Sequence, residues 1–217
     1  MHKWFVYESF EGAAKAAAKF LFKEIGNCLS KKEVCHVILP GGNSPIPCLD
    51  YLSKENLPWD KIHWYLGDER CYPVGHDERN DLMLEKNLWS KIGDTNIYSI
   101  PAELGAEKAA EEYRKIISSV EYFDIAFLGV GEDGHTASLF PDNRALTDNR
   151  TVVPVYHSPK PPSDRVSLSI DTLKNARCRV VLTGVSAKKT AITRIKQGEP
   201  LPINCIGEIN WFVDDAV

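Results

Sequence analysis

The 217-residue chain is predicted to fold as an α/β protein, a mostly parallel twisted sheet with helices on both faces. Three observations predict it. Short apolar runs at 34–39, 62–66, 124–128 and 179–182 each lead into a glycine turn. Each run has the length and the Val, Ile and aromatic content of a buried strand. Helical patterns fill much of the sequence between them, the alternation expected when crossover helices join parallel strands.

The first helix is the clearest element. Phe10, Ala14, Ala17, Leu21 and Ile25 recur at steps of three and four, with Lys15, Lys19 and Lys23 mostly on other faces. The run at 34–39 ends in Pro40, Gly41 and Gly42, and Ser44 with Pro45 then marks a helix start, because proline suits the first helical position. The run at 62–66 ends in Gly67 and Asp68, and residues 78–91 have helical composition. So do residues 104–120, which are rich in Ala, Glu and Lys. The run at 124–128 leads into Gly129, Val130 and Gly131, and the run at 179–182 into Thr183 and Gly184, with a helix following over 187–195. Pro-Lys-Pro-Pro at 159–162 reads as a rigid loop. No repeat, low-complexity tract or linker divides the sequence, so residues 1–217 are expected to form one domain.

Composition limits the functional classes. Apolar residues make up 43% and charged residues 26%, enough for a core without metals or disulfides. The formal charge of -4 offers nothing to nucleic acid or to an acidic membrane, so a bound anion requires a local cluster of donors. Six cysteines form no CxxC pair, and several lie in apolar runs; free thiols in a reducing compartment are expected. The residues after Met1 turn polar too soon for a secretory signal, and no apolar stretch approaches the ~18 residues of a membrane span. A cytoplasmic location is expected.

In open α/β sheets the ligand crevice lies beyond the carboxyl ends of the strands. The glycine turns carry Asn43, Ser44, Asp68, Glu69, Arg70, Asp133, His135, Thr136 and Lys188 to those ends. The stretch from Pro40 to Pro45 can bring glycine backbone and helix N–H groups to an anion, or be an ordinary strand–helix turn. It lacks the Walker lysine, so a phosphate on a sugar fits better than a nucleoside triphosphate. Asp68, Glu69 and Arg70 form either a solvated surface turn or a source of carboxylate and guanidinium for the crevice.

Residues 129–134 satisfy G-x-G-x-x-G, but Pro141 interrupts the helix that a dinucleotide site needs, and no acid stands about 20 residues on to hold a ribose. The glycines instead place Asp133 and His135 in a tight turn with little core to pack into, which favours a chemical role for His135. The six histidines show no HxH or HExxH spacing, so no metal is implied. Gly184-Val-Ser-Ala-Lys188 lacks the second glycine of a nucleophile elbow, so a serine nucleophile is not expected.

Together these stretches resemble the 6-phosphogluconolactonase family, within the group that also holds glucosamine-6-phosphate deaminases. The resemblance rests on Asp-Glu-Arg at 68–70 with Pro73 and Asn80, and above all on Gly-Glu-Asp-Gly-His-Thr-Ala-Ser-Leu-Phe-Pro at 131–141. Arg-Val-Ser-Leu at 165–168, Gly184 with Lys188, and Trp211 with Asp214 add weaker matches. The family's first loop usually begins Ser-Gly-Gly with Thr before the proline; Pro40 and Ser44 stand here, so backbone contacts carry over better than side-chain ones. Deaminases carry a catalytic glutamate five residues after the histidine, where this chain has Phe140.

The resemblance implies hydrolysis of 6-phospho-D-glucono-1,5-lactone to 6-phosphogluconate; a Rossmann-like fold, no cofactor or metal, and a monomer or small homo-oligomer are expected. The resemblance also implies His135 as general base, with Asp68 or Asp133 orienting the imidazole or the substrate hydroxyls. Backbone N–H groups of Gly41 and Gly42 or of the 129–134 turn are candidates for the oxyanion, with Asn43 and Ser44 beside them. Arg70, Arg165 and Lys188 are the candidates for the phosphate. The rival readings are an amino-sugar-phosphate deaminase and a non-catalytic sugar-phosphate sensor, for which 217 residues leave no room for a DNA-reading module.

Overall fold

The computed structural model of the protein describes residues 2–215, the side chain of Ala187 excepted. Its strands are β1 (Lys3–Tyr7), β2 (Cys35–Leu39), β3 (Ile62–Leu66), β4 (Asp68–Arg70), β5 (Asn96–Tyr98), β6 (Ile125–Leu128), β7 (Val152–Val155), β8 (Arg165–Leu168), β9 (Cys178–Thr183) and β10 (Asn210–Asp214). The helices are α1 (Phe10–Leu29), α2 (Ile46–Leu52), α3 (Asn80–Asn87), α4 (Ala106–Ile116), α5 (Ile170–Lys174), α6 (Lys189–Lys196) and α7 (Pro202–Cys205).

The predicted α/β architecture is present. Seven strands form a wholly parallel sheet in the order β1-β10-β9-β6-β2-β3-β5, flanked by helices in a Rossmann-like arrangement. The central strands are largely apolar because both faces are covered; every residue of β6, Ile-Ala-Phe-Leu, is buried. From β2 the chain steps outward to β3, whereas from β6 it steps the other way to β9. The loops after β2 and β6 therefore sit side by side at the point where strand order reverses, the place where such sheets open a crevice.

Helix α1 follows its sequence pattern. Ala14, Ala17, Leu21 and Ile25 are fully buried, and the alanines allow the helix to lie close against β10, β9 and β1. The Ser9 side chain caps it by accepting the Gly12 N–H at 3.1 Å.

Other helix boundaries shift for local reasons. α2 begins at Ile46, one residue after Pro45. The pattern at 78–91 breaks into α3 and a separate 3-10 turn, Trp89–Lys91, because Leu88 leaves helical backbone at φ -134°. α4 starts only after Gly105, whose φ of +84° excludes it from the helix. Over 187–195, a 3-10 turn at Ser186–Lys188 precedes α6.

Three features lay outside the sequence pattern. β1 and β10 complete one side of the large sheet, β5 forms its other edge, and a second, antiparallel sheet, β4-β8-β7, stands beside it. β4 consists of three charged residues, two of them buried, and β7 contains Pro154; neither reads as a strand in isolation. This small sheet places Asp68 opposite Ser167 and Arg70 opposite Arg165. All six cysteines are unpaired. Among the described residues no helix is long and apolar enough to cross a membrane.

Candidate functional site

A cleft of about 190 Å³ opens at the carboxyl ends of β2, β3 and β6. Its first wall is the loop from Pro40 to Pro45. Among the described residues, the backbone N–H groups of Gly42, Asn43 and Ser44 meet no protein acceptor, so they remain available to a ligand. Gly41 is required by a neighbour rather than by its own conformation. A Cβ there would lie 2.0 Å from Asn80 Oδ1, because the buried Asn80 amide is laid across the glycine. The Asn80 Nδ2 donates to the Asp68 carbonyl at 2.8 Å and to Asp68 Oδ1 at 3.3 Å. Asp68 also accepts from Ser138 Oγ at 2.5 Å, so its carboxylate links the 40–45 loop to the 131–141 motif.

Glu69 is fully buried and orders the segment that follows. Its carboxylate accepts the N–H groups of Arg70, Asn80 and Asp81 at 2.8, 2.8 and 2.9 Å, and so caps the start of α3 from outside the helix. Arg79, beside it, pairs with Asp81 and Glu103 and donates to the Tyr72 and Ile100 carbonyls. Burial pushes the Glu69 pKa up to about 7, against the opposing pull of those three N–H donors. A carboxyl whose folded pKa exceeds its unfolded value of 4.5 binds more protons in the native state between those pH values. Its contribution to stability is therefore fully present below about 4.5 and falls as pH rises to about 7. The stability difference between wild type and Glu69→Gln, measured by denaturant unfolding, is expected to shrink over that interval and then level off. A difference that grows with pH would contradict it.

The second wall is the turn after β6. Its shape is set by Gly131 N–H to the His135 carbonyl at 2.8 Å, Gly134 N–H to the Gly131 carbonyl at 3.1 Å, and Thr136 Oγ1 to the Gly129 carbonyl at 2.9 Å. Gly134 adopts φ +83° and is pressed against Leu201, where a Cβ would come within 2.7 Å. Ala137 holds a left-handed φ of +49° on the cleft wall, a sparsely populated state for a residue with a Cβ.

Within this turn His135 Nδ1 lies 2.5 Å from Asp133 Oδ1, which also accepts the His135 backbone N–H at 3.1 Å. Burial works against the Asp133 carboxylate, yet the hydrogen bond and charge of His135 hold its pKa at about 2. An ionised carboxylate can only accept, so Nδ1 carries the proton of this hydrogen bond. The imidazole ring rests 4.5 Å from the Phe140 ring, which is buried and supplies no proton.

Cations gather opposite. The buried Arg165 guanidinium lies 5.5 Å from the Phe140 ring and donates to the carbonyls of Lys160, Pro161 and Pro162. It has no carboxylate partner among the described residues, and burial lowers its pKa. Lys188 likewise has no ion-pair partner among the described residues; burial and the nearby Lys160 charge lower its pKa. The Val185 N–H donates to Asp214 Oδ1 at 2.6 Å, which anchors the turn that delivers Lys188. Arg70 differs, for its Nη1 donates to the Glu78 carbonyl at 2.5 Å and lies 3.6 Å from the Glu78 carboxylate.

The structure thus brings Gly41, Gly42, Asn43, Ser44, Asp68, Arg70, His135, Arg165 and Lys188 to one cleft. Asp133 stands behind His135 rather than on the lining. Of the two aspartates, Asp133 bonds the imidazole, whereas Asp68 bonds Ser138 and Asn80. Sequence reasoning left out Lys160 and Asn80 as site residues, though both line the cleft. The signal for Lys160 was its place inside Pro-Lys-Pro-Pro, where prolines hold a lysine at a set position; Asn80 carried none apart from the resemblance.

A sequence model described as glucosamine-6-phosphate isomerases/6-phosphogluconolactonase matches residues 8–212. The chain belongs to this family. It is 32% identical to a 6-phosphogluconolactonase of Thermotoga maritima over 220 residues, covering 98% of this chain and 99% of that protein. It is 36% identical to a Homo sapiens 6-phosphogluconolactonase over 177 residues, covering 73% of this chain and 69% of that one. The crystal structure of a Thermotoga maritima 6-phosphogluconolactonase superposes with a TM-score of 0.91 at 29% identity, covering 99% of this chain and 100% of that one. A monomeric glucosamine-6-phosphate deaminase shares the fold, with a TM-score of 0.85 at 17% identity, covering 98% and 97% of the two chains. The fold is common to both activities, so the residues of the cleft must distinguish them.

Proposed function

We propose that the cleft hydrolyses 6-phospho-D-glucono-1,5-lactone to 6-phospho-D-gluconate in the oxidative pentose phosphate route, with His135 activating the water. The observation that carries this reading is the imidazole whose Nδ1 donates to ionised Asp133, which makes Nε2 the nitrogen that accepts a proton in the neutral ring. In the proposed reaction Nε2 takes a proton from water as the oxygen bonds to the lactone carbonyl carbon. The tetrahedral intermediate places negative charge on the former carbonyl oxygen, where the free N–H groups of the 42–44 loop are the candidate donors. Collapse breaks the bond from that carbon to the ring oxygen, which receives the proton from the imidazolium. The carboxylic acid formed then ionises and releases one proton.

Phe140 supports the lactonase over the deaminase reading. A deaminase needs a second proton-transfer group near the histidine, and a buried phenyl ring cannot provide one. The direct test is to follow acid release on adding the phosphorylated lactone, with the protein dialysed against EDTA and no nucleotide added. The expected result is a rate well above spontaneous opening. An unchanged spontaneous rate would make the protein a binder, and loss on chelation with recovery on zinc would make it a metallohydrolase.

Phosphate binding is assigned to Arg165 and Lys188, cleft cations that, like Lys160, form no ion pair among the described residues, with Arg70 as an additional donor. The phosphate is remote from the reacting carbonyl, so such contacts act equally in ground and transition states. Lys188→Ala is expected to raise KM on the order of 10- to 100-fold and leave kcat largely unchanged, since hydrogen bonds to charged groups contribute roughly 1.5–3 kcal/mol. Unphosphorylated gluconolactone is the control. An equal loss on both lactones would remove Lys188 from the phosphate site.

A further inference from the structure

We propose that Cys28, Cys35 and Asp124 form a binding site for one soft divalent cation of the zinc or cadmium class, at the opposite end of the sheet from the cleft. Cys28 lies in the last turn of α1, Cys35 opens β2, and Asp124 immediately precedes β6. Three separate elements thus converge, with the two Sγ atoms and a carboxylate oxygen all within 4.8 Å of one another. Around a tetrahedral zinc, ligand atoms stand on the order of 3.5 Å apart, so small rotamer adjustments would close the site.

The surroundings carry the inference further. Asp124 is only 5% exposed, and a buried carboxylate requires compensation. It is compensated by one cation and one backbone donor. Oδ2 accepts the Lys32 ammonium at 2.7 Å and the His36 N–H at 2.8 Å. Two thiolates are the ligands that select zinc-class metals over magnesium or calcium. Two thiolates and one carboxylate around a divalent ion leave a net charge of -1, which the Lys32 ammonium would balance without leaving Oδ2. Cys35 is fully buried, whereas Cys28 is half-buried and opens the site to entering metal and to a water as fourth ligand.

Binding has a cost. Burial holds both thiols above their usual range, with the Asp124 charge adding to it, so the metal must displace two protons as its two bonds to sulfur form. The bland alternative is that Lys32 and Asp124 are a plain ion pair closing the α1–β2 loop, with both thiols packed beside it. A metal there would tie α1, β2 and β6 together and stabilise the fold without touching the cleft.

The two readings separate by titrating the reduced, EDTA-treated protein with Cd²⁺ and following the ultraviolet sulfur-to-cadmium charge-transfer band. The expected result is a band that saturates at one equivalent, is displaced by Zn²⁺, and is accompanied by a rise in Tm. Cys28→Ser should abolish the one-equivalent band and the Tm rise, whereas Cys205→Ser, at an exposed thiol, should leave both intact. Asp124→Asn should weaken binding by at least about tenfold. That variant loses its ion pair with Lys32 and could fail to fold, so the Cys28 variant decides the matter alone. Absence of a saturable band, or a band that survives Cys28→Ser, overturns the proposal. So does oxidation of the pair to a disulfide in air coupled with no cadmium binding after reduction. None of these outcomes bears on lactone hydrolysis.

Discussion

Replacing His135 by alanine is expected to lower kcat on the phosphorylated lactone by about 10²–10⁴-fold, the usual effect of losing a positioned general base, with a smaller change in KM. The size of the effect follows from the geometry. Ionised Asp133 accepts from Nδ1 of His135 and fixes the ring, so Nε2 is the nitrogen assigned the proton transfer. Water and the backbone cannot replace that function. The fold should survive, since the ring is only partly buried and the turn is held by backbone hydrogen bonds from Gly131 and Gly134. Asp133→Asn should also lower kcat, because an amide can present an N–H to Nδ1 and favour the wrong tautomer. Near-wild-type turnover in a folded His135→Ala protein would remove the imidazole from the reaction.

A loss of similar order is expected from a residue that takes no part in the chemistry. A Cβ added at Gly131 would lie 2.0 Å from both Cε1 and Nδ1 of His135 and 2.8 Å from Asp133 Oδ1. The backbone at Gly131 is not left-handed, so alanine suits the turn itself, and the collision falls entirely on the imidazole and its partner. Gly131→Ala should therefore fold but displace the ring by about an ångström or more, lowering kcat on the order of 10²-fold. Gly129→Ala is the comparison, because a Cβ there meets nothing within 4 Å. The His135 ring resonances should move in the Gly131 variant and stay in place in the Gly129 variant. A Gly131→Ala protein with wild-type kcat and unshifted ring resonances would show that the imidazole does not need this space.

These two cases mark how far the sequence could be read. The predicted strands were visible because a strand buried on both faces must be apolar along its length, as β6 is. Helix α1 was visible because its buried alanines and leucine keep helical spacing. β1 escaped because it is an edge strand whose residues are at most partly buried, so neither alternation nor a continuous apolar run marks it. β4 escaped because Asp68 and Glu69 are buried as hydrogen-bonded carboxylates, a state that depends on Ser138, Asn80 and Asp81 arriving from elsewhere.

Legible in the sequence alone were the fold class, the glycine turns at the strand ends, and His135, Asp133 and the cationic residues as candidates. Those are properties of local pattern and of residue chemistry, which the chain carries wherever it goes. The tertiary structure alone decided the pairings. It gave the imidazole to Asp133 and Asp68 to Ser138 and Asn80, and it brought Lys160 to the cleft on the loop joining β7 and β8. It also gave Gly41 and Gly131 their reason, which is the space taken by the Asn80 and His135 side chains. Pairings and close approaches depend on where distant segments meet at atomic spacing, and only packing fixes that.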